Sequence, residues 1–317
     1  MTLTQLEYIL AVDQLKHFGK AAESCFVTQP TLSMQIQKLE DELQVTIFDR
    51  SKSPIQTTVE GKAIIDQSQI IIKEKKRLFS ILDESKEELT GEFKLAVIPT
   101  LTPFLVPLFI QHFVKKYPKV NLMLEEAKTE DIIEMLKKDE VDAALLATPL
   151  EEKHIEERVL YYEPFYLFVH AKHPLANKVK VKEEELDIND IWLLNKGNCF
   201  REQVLNICAQ KRGNSTNEHI NFESGNFETL KNMVLKGFGY TILPHMAVQD
   251  LSKAQKKLVR PFKAPIPTRE ISLVFSKDCL KRKIVDALEE EILGDIPDEL
   301  RDIQKKNLQV IEFSVGH

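Results

Sequence analysis

The chain has 317 residues and a net charge of −6 at pH 7, and 29% of its residues are charged. This length accommodates two or three domains, and the ordinary soluble composition excludes a fibrous or low-complexity chain. The acidic balance argues against a protein that binds nucleic acid through charge alone. The four cysteines are sparse and irregularly spaced, which is typical of a reducing compartment and not of a secreted disulfide scaffold. We therefore expect a cytoplasmic protein.

The sequence pattern predicts neither a signal peptide nor a membrane span. The start of the chain lacks a charged segment followed by an apolar run. The uncharged stretch from Leu95 to Val114 is long enough to cross a membrane, but it contains Pro99, Pro103 and Pro107. A strand, a turn and a helix explain this stretch better, so we expect no membrane partner.

Residues 17–43 carry a helix-turn-helix pattern. Ala21 and Ala22 give a first short helix a close-packing face, and Thr28 is a good N-cap for a second helix with Pro30 in its first turn. One face of that second helix is apolar, and the opposite face offers short polar groups that suit base edges and phosphates in a major groove. A helical hairpin without DNA binding is the alternative for this segment alone. The residues expected to contact double-stranded DNA are Thr28, Gln29, Pro30, Thr31, Ser33, Gln35 and Lys38.

The next segment predicts a wing and a long helix. Residues 43–63 read as two short strands around a Ser-Lys-Ser-Pro turn, with Arg50 placed to reach phosphates. A helical pattern without proline then runs from Thr58 to about Thr90. Two adjacent heptad positions form an apolar seam that a single helix of this length cannot bury, so we predict pairing with the same helix of a second subunit. The seam residues are Ile64, Ile65, Ile71, Ile72, Leu78 and Phe79.

Strands alternate with helices from Gly91 onward, which predicts an α/β architecture with two subdomains and a cleft between them. The second set includes predicted strands at Ile191–Leu194 and His219–Phe222. The whole chain is then an α+β multi-domain protein, with a winged helix-turn-helix, a linker helix and a two-subdomain α/β domain. The predicted boundaries are 1–58 for the winged helix-turn-helix, 59–90 for the linker helix, 91–161 with 268–295 for one subdomain, 162–267 for the other, and 296–317 for a C-terminal extension.

Cys199 and Cys208 flank a short helical pattern that follows the turn residues Gly197 and Asn198. We expect Cys199 at the helix N-terminus, where the helix dipole with Lys196 and Arg201 favours the thiolate, and Cys208 inside the helix. Nine residues of intact helix rise roughly 13 Å, whereas a disulfide needs Cα atoms within about 7 Å. A bond between them would therefore remodel the segment. The alternative is that both cysteines pack as small apolar residues.

Three threonines, Thr100, Thr102 and Thr129, fall at predicted turns from a strand to a helix. Helix N-termini bind polar and anionic groups readily, so these hydroxyls are candidates for holding a small polar ligand. The alternative is that each threonine only caps its helix.

The chain resembles the LysR-type transcriptional regulators over essentially all residues up to about 295. The most specific match is the run AAESCFVTQPTLSMQIQKLEDELQVTIFDR, followed by Thr57 and Gly61. The resemblance implies an effector domain similar to periplasmic binding proteins. Within the family the effector domain resembles the OxyR hydrogen-peroxide sensors, through the segments KGNCFREQVLNIC, VIPTLTPFLVP, EAKTEDI and REISLVF. The C-terminal extension matches nothing in the family, and we expect it to be mobile.

The resemblance also implies roles for individual residues. The family's peroxidatic cysteine falls on Cys199 and its resolving cysteine on Cys208, and their disulfide would switch the protein. The resemblance implies hydrogen peroxide as the signal and promoter DNA, RNA polymerase and cellular thiol reductants as partners. It also implies that the chain forms a homodimer or a homotetramer. No cofactor and no metal are expected. The peroxide pocket is expected to contain Thr100, Thr129, Asn198, Arg201 and Arg269.

One residue departs from the family pattern. OxyR proteins often have His immediately before the peroxidatic cysteine, whereas this chain has Asn198. An amide can also donate and accept hydrogen bonds.

Two other functions are compatible with parts of the sequence. The same fold is also suited to binding a small metabolite as coinducer in the cleft between the subdomains. A thiol-dependent enzyme is the second alternative, but the chain has no HExxH, GxSxG or CxxC motif, and an enzyme would not need the helix-turn-helix. We therefore predict a regulator and not an enzyme.

Overall fold

The computed structural model describes residues 1–83, 88–208, 225–301 and 307–313. The chain divides into two compact units, Met1–Glu87 and Glu88–His317. The predicted strand at His219–Phe222 lies outside the described residues.

The first unit is a winged helix-turn-helix followed by a long helix. Thr2 starts the first helix with a capping box, and the His17 ring accepts hydrogen bonds from the backbone at the start of the second. The wing strands pair antiparallel, with Phe48 opposite Thr57. The elements are α1 (Leu3–Leu15), α2 (Phe18–Ser24), α3 (Gln29–Leu43), β1 (Phe48–Asp49), β2 (Gln56–Thr57) and α4 (Val59–Asp83).

The apolar seam of α4 is used partly within its own unit. Ile65 is 0% exposed and Ile72 is 7% exposed, and both belong to the core that α1 and α3 form. The interpretation that this helix cannot bury its seam alone is therefore wrong for these two residues. Leu78, further along the seam, is 67% exposed. The pairing of this part of the seam with a second subunit stays a prediction.

The second unit is built on one mixed sheet of eight strands. The strand order is β4-β3-β5-β9-β6-β7, with β8 paired to β6 and β10 paired to β9. The strands are β3 (Gly91–Val97), β4 (Val120–Glu126), β5 (Ala143–Thr148), β6 (Ile155–Val169), β7 (Tyr240–Pro244), β8 (Val259–Pro261), β9 (Ile266–Ser276) and β10 (Leu308–Val310). The α-helices are α5 (Thr102–Lys116), α6 (Thr129–Lys137), α7 (Cys199–Ile207), α8 (Phe227–Lys236), α9 (His245–Gln249), α10 (Lys253–Lys256), α11 (Arg282–Asp295) and α12 (Asp298–Arg301).

Two hydrophobic cores lie along this sheet, which confirms the predicted two-subdomain α/β architecture. One core gathers β3, β5, α5 and α11, and the other gathers β7, α7 and α8. The strand β6 contributes to both cores because its 15 residues are far more than an average strand has. It runs antiparallel to β9, with Ile155 opposite Ser276 and Glu163 opposite Arg269. The parallel pairing of β3 with β4 and β5 also agrees with the sequence pattern.

The predicted strand at Ile191–Leu194 is wrong. Only Ile191 bridges to Tyr240, and the Trp192 N–H donates to the Tyr240 carbonyl at 2.8 Å. The Trp192 carbonyl, which would continue the pairing, instead accepts the Thr241 hydroxyl at 2.8 Å. A side chain therefore ends the ladder after one step.

The C-terminal extension is ordered in its described part, so the expectation of a mobile tail is wrong for residues 307–313. The strand β10 pairs in parallel with β9, from Leu308 opposite Ile266 to Val310 opposite Thr268. Ile311 follows and is 5% exposed in the second core. Burial of this apolar side chain together with the strand pairing fixes the segment. Among the described residues, no helix is both long and apolar enough to cross a membrane.

Candidate functional site

The helix α7 begins at the first of its two flanking cysteines. Gly197 has a φ of 78°, and the Asn198 Oδ1 accepts a hydrogen bond from the Phe200 N–H at 3.1 Å. That bond satisfies an N–H group that the first helical turn leaves without an intrahelical partner. Cys199 is therefore the first residue of the helix, as the sequence predicts.

Cys208 closes the same helix and does not lie inside it. Its N–H donates to the Val204 carbonyl at 3.1 Å, and it occupies the C-cap position. The prediction of an interior position is wrong because the helix ends at Ile207. Both thiols are free, and the intervening helix rises roughly 13 Å. A disulfide, which needs Cα atoms within about 7 Å, is incompatible with this helix.

The Cys199 thiol is protected in this conformation. The residue is 7% exposed and packs in the first core, and burial raises its pKa above the ordinary value for cysteine. The Thr129 hydroxyl and the positive charge of Arg269 lower the pKa and offset part of that effect. The prediction that the setting favours the thiolate is therefore wrong here, because burial outweighs the nearby polar groups.

The cation beside Cys199 is Arg269, and the structure assigns Arg201 a different role. The Arg201 Nη1 donates to the Leu194 carbonyl at 2.8 Å, which fastens the loop before α7. The structure thus does not bring Arg201 into the pocket predicted for it.

Arg269 is buried in a network that reaches both β6 and the turn before α5. Its side chain is 1% exposed, and its Nε and Nη2 donate to the same carboxylate oxygen of Glu163 at 2.8 and 2.7 Å. Its Nη1 donates to the Thr100 Oγ1 at 3.0 Å, and its guanidinium lies 5.4 Å from the centroid of the Phe200 ring. The sequence did not reveal Glu163 as a residue of this site, because a position in β6 alone gives no sign that Arg269 of the neighbouring strand β9 lies opposite.

The two threonines predicted for the peroxide pocket, Thr100 and Thr129, both lie at the site, and neither is a simple helix cap. The Thr100 Oγ1 accepts from Arg269, and the residue precedes the first turn of α5. Thr129 is the first residue of α6, whose N-cap position belongs to Lys128. Among the described residues, the buried Thr129 Oγ1 has no hydrogen-bond partner of good geometry, although it is close enough to Cys199 to lower the pKa of the thiol. A buried hydroxyl in that state is available to a small polar ligand.

Cys208 lies in the second core, away from this network. It is 3% exposed, and burial together with the negative charges of Glu183 and Asp187 raises the pKa of its thiol to about 12. It is therefore protonated at neutral pH in this conformation. The two cysteines thus occupy different cores at opposite ends of one helix.

The predicted DNA-contacting residues other than Arg50 lie on α3 or at its N-cap in the first unit. Most of these side chains are exposed, namely those of Thr28, Gln29, Pro30, Thr31 and Lys38. Ser33 is half-buried. Gln35 is also half-buried, and its Oε1 accepts from the Gln5 Nε2 of α1 at 3.3 Å. A role of Gln35 in contacting bases therefore competes with this internal bond.

Two other residues of this unit have surroundings that the sequence pattern does not reveal. Arg50 is not a free loop cation: its Nη2 donates to the Glu40 carboxylate at 2.7 Å, and its guanidinium lies 5.2 Å from the Phe18 ring. Phe26, in the turn between α2 and α3, is 96% exposed with a φ of 56°. The turn presents this ring to solvent and does not bury it.

Comparison with known families agrees with both units. Residues 3–62 match the bacterial regulatory helix-turn-helix proteins of the lysR family, and residues 86–295 match the LysR substrate binding domain. The chain belongs to the LysR family of bacterial regulatory proteins.

Within that family the chain is similar to OxyR proteins. It is 34% identical over 292 residues to the DNA-binding transcriptional dual regulator OxyR of Escherichia coli strain K12, covering 92% of this chain and 95% of that protein. It is also 34% identical over 275 residues to the hydrogen peroxide-inducible genes activator of Dickeya chrysanthemi, covering 87% of this chain and 89% of that protein. A full-length OxyR structure from Pseudomonas aeruginosa superposes with a TM-score of 0.77 at 35% identity, covering 93% of this chain and 99% of that chain.

Proposed function

We propose that this protein is a peroxide-sensing, DNA-binding transcription regulator that is switched by a disulfide between Cys199 and Cys208. The observation that carries the proposal is the placement of the two thiols at the two ends of α7, each buried in a different core. The similarity to hydrogen peroxide-inducible activators supports the same function.

The chemistry begins with the Cys199 thiolate, which attacks one oxygen of hydrogen peroxide. An S–O bond forms and the O–O bond breaks, so the sulfur becomes a sulfenic acid and hydroxide leaves; the proton released by the thiol converts that hydroxide to water. Arg269 and the hydroxyls of Thr100 and Thr129 are the donors that surround the reacting atoms. They stabilise the negative charge that develops on the leaving oxygen.

The second step joins the two cysteines. The sulfur of Cys208 attacks the sulfenic sulfur of Cys199, an S–S bond forms, and the oxygen leaves as a second water after taking the remaining proton. In sum, two thiols lose two electrons and two protons, and one peroxide becomes two waters. Because intact α7 holds the cysteines too far apart, this step traps an unwound segment and draws Cys208 out of the second core.

The remodelled segment changes the surface of the effector domain, and the readout is DNA binding through the exposed face of α3. In the proposed function the protein acts in the cytoplasm on promoter DNA as a homodimer or homotetramer, with RNA polymerase as its partner in transcription. Cellular thiol reductants return the disulfide to two thiols.

The test is mass spectrometry under non-reducing conditions after exposure to micromolar hydrogen peroxide. In the natural chain we expect a disulfide that joins the peptide containing Cys199 to the peptide containing Cys208. In a Cys208→Ser variant we expect a sulfenic acid on Cys199. Cys279 serves as a control, because its thiol lies near the Asp142 carbonyl and its pKa is also raised by burial. The absence of a linkage between Cys199 and Cys208 would refute the redox switch.

A further inference from the structure

Glu163 is a fully buried carboxylate that the reaction scheme above does not use. It is 0% exposed in the middle of β6, directly opposite Arg269 of β9. A buried charge is unfavourable unless it is paired and hydrogen-bonded, so its partners determine what it does.

Every polar atom of that carboxylate is engaged. One oxygen accepts from both the Nε and the Nη2 of Arg269, at 2.8 and 2.7 Å. The other oxygen accepts from the backbone N–H of Met246 at 2.8 Å, at the start of α9. Glu163 therefore holds one edge of the guanidinium, which leaves the opposite edge to donate to Thr100 at 3.0 Å.

The electrostatic consequence follows from the same contacts. Besides burial, the groups that act most strongly on the Cys199 thiol are the Thr129 hydroxyl from α6, the Arg269 guanidinium from β9, and backbone N–H groups at the start of α7. Arg269 is the charged one among them, and it shares its charge with Glu163 in a buried ion pair. The pair places less net positive charge beside Cys199 than a lone arginine would.

We propose that Glu163 is a positioning residue of the redox site: it orients Arg269 toward Thr100 and Cys199, and it restrains the attraction of Arg269 for the Cys199 thiolate. This role rests on the proposed function for its meaning in signalling. Glu163 thus keeps the thiol largely protonated at rest while holding the guanidinium where the leaving oxygen needs it. Orientation and charge are separable by substitution, which gives the test two independent readouts.

The first readout is the pH dependence of Cys199 alkylation by iodoacetamide in the full chain, quantified by mass spectrometry of the Cys199 peptide. In Glu163→Gln the negative charge is lost, so the thiolate is stabilised. The alkylation midpoint should move to lower pH by about half a unit to one unit. Glu270→Gln is the matched control, because Glu270 is the next residue of β9 and bonds to Thr148 and Tyr162 instead; its midpoint should stay unchanged.

The second readout compares two rate constants at the same pH, that of Cys199 oxidation by hydrogen peroxide and that of Cys199 alkylation by iodoacetamide, as the ratio of the first to the second. The amide that Glu163→Gln introduces would place an N–H group against a donor, either Arg269 or Met246, so the guanidinium loses its orientation. The ratio should fall by about tenfold, because peroxide needs the oriented donors and iodoacetamide does not. In Glu163→Asp the negative charge is kept but the side chain is one methylene shorter. The pH midpoint of alkylation should therefore stay unchanged, while the ratio of the peroxide rate to the alkylation rate falls.

The outcomes separate this proposal from the proposed function. An unchanged or higher midpoint in Glu163→Gln, or an equal shift in Glu270→Gln, would overturn the electrostatic role. If Glu163→Gln does not fold, an unchanged ratio in Glu163→Asp would overturn the positioning role. The alkylation measurement requires neither peroxide nor a disulfide, so a shifted midpoint without any linkage between the cysteines would support Glu163 and refute the switch.

Discussion

Replacing Asn198 by alanine tests whether α7 must unwind when the disulfide forms. Asn198 is 8% exposed, and its Oδ1 caps the helix through one hydrogen bond of 3.1 Å to the Phe200 N–H. Loss of such a cap destabilises a helix by about 1 kcal/mol. An intact α7 is incompatible with a disulfide between Cys199 and Cys208, so the cost of losing the cap falls on the dithiol form.

The sign and size of the effect follow directly. Destabilising the dithiol relative to the disulfide makes reduction less favourable, so the midpoint potential becomes more negative. For a two-electron couple, about 1 kcal/mol corresponds to a change of about 20 mV. The equilibrium constant for oxidation should therefore rise about fivefold.

The measurement is equilibration of the full chain in a series of thiol–disulfide buffers, followed by acid trapping and mass spectrometry. Asn198→Ser keeps a capping oxygen and should leave the potential close to that of the natural chain. Asn226→Ala removes a comparable cap, a 2.9 Å bond to the Thr229 N–H, from α8, which need not unwind. An unchanged or less negative potential in Asn198→Ala, or an equal shift in Asn226→Ala, would refute the reasoning.

Four further predictions follow from the described contacts. Because burial raises the Cys199 pKa, the rate of its oxidation should rise about tenfold per pH unit from pH 7 to 8.5 in rapid-mixing assays, and a plateau below pH 8 would contradict this. Cys208→Ser should stop at the sulfenic acid, which dimedone labels; disulfide formation on Cys199 in this variant would contradict the pairing. Ile311→Asp places a charge at a 5% exposed position, so it should release β10 and make the disulfide potential more negative by tens of millivolts. In DNA footprinting, Gln29→Ala should reduce sequence discrimination, whereas Arg50→Ala should weaken binding uniformly and also lower the thermal midpoint of the first unit through loss of its 2.7 Å bond to Glu40; unchanged footprints in both would contradict the placement of α3.

Local patterns predicted the elements whose stability is local. The helix-turn-helix follows from the spacing of Leu32, Ile36 and Leu39, all 0% exposed, and from a cap position followed by proline. The start of α7 follows from Gly197 and Asn198 for the same reason. Each of these features depends on residues within one or two helical turns of each other.

Features that depend on distant partners escaped the sequence. The sequence presents Arg50 as a wing cation placed to reach phosphates and does not reveal its contacts with Glu40 and Phe18. It presents Glu163 as an ordinary strand residue and does not reveal that Arg269 of β9 lies opposite. The pKa of Cys199 depends on its burial and on Thr129 and Arg269, both of which lie far from it in sequence. Of the cations expected near Cys199, Lys196 and Arg201 followed from closeness in sequence, whereas Arg269 followed only from the family resemblance.

The reduced state of α7 is held at several independent points. Its N-terminus is capped by Asn198, and its middle is tied to the C-terminal segment: the Gln203 Nε2 donates to the Ile311 carbonyl and the Asn206 Nδ2 to the Glu312 carbonyl, both at 2.9 Å. The buried Gln203 Oε1 has no hydrogen-bond partner among the described residues. The cost of burying this oxygen offsets part of the stability that the Gln203 hydrogen bond contributes.

These contacts and the disulfide compete for the same residues. Each contact lies on or against the segment that must unwind when the disulfide forms. Each therefore stabilises the dithiol form and makes the midpoint potential of the Cys199–Cys208 couple less negative. At about 20 mV per kcal/mol, three or four such contacts move the threshold across a range comparable to the differences among cellular thiol couples. The packing that makes α7 a stable helix is therefore also the quantity that sets how strong an oxidant the protein requires. A substitution that loosens this helix without touching either cysteine should make the protein respond to weaker oxidants.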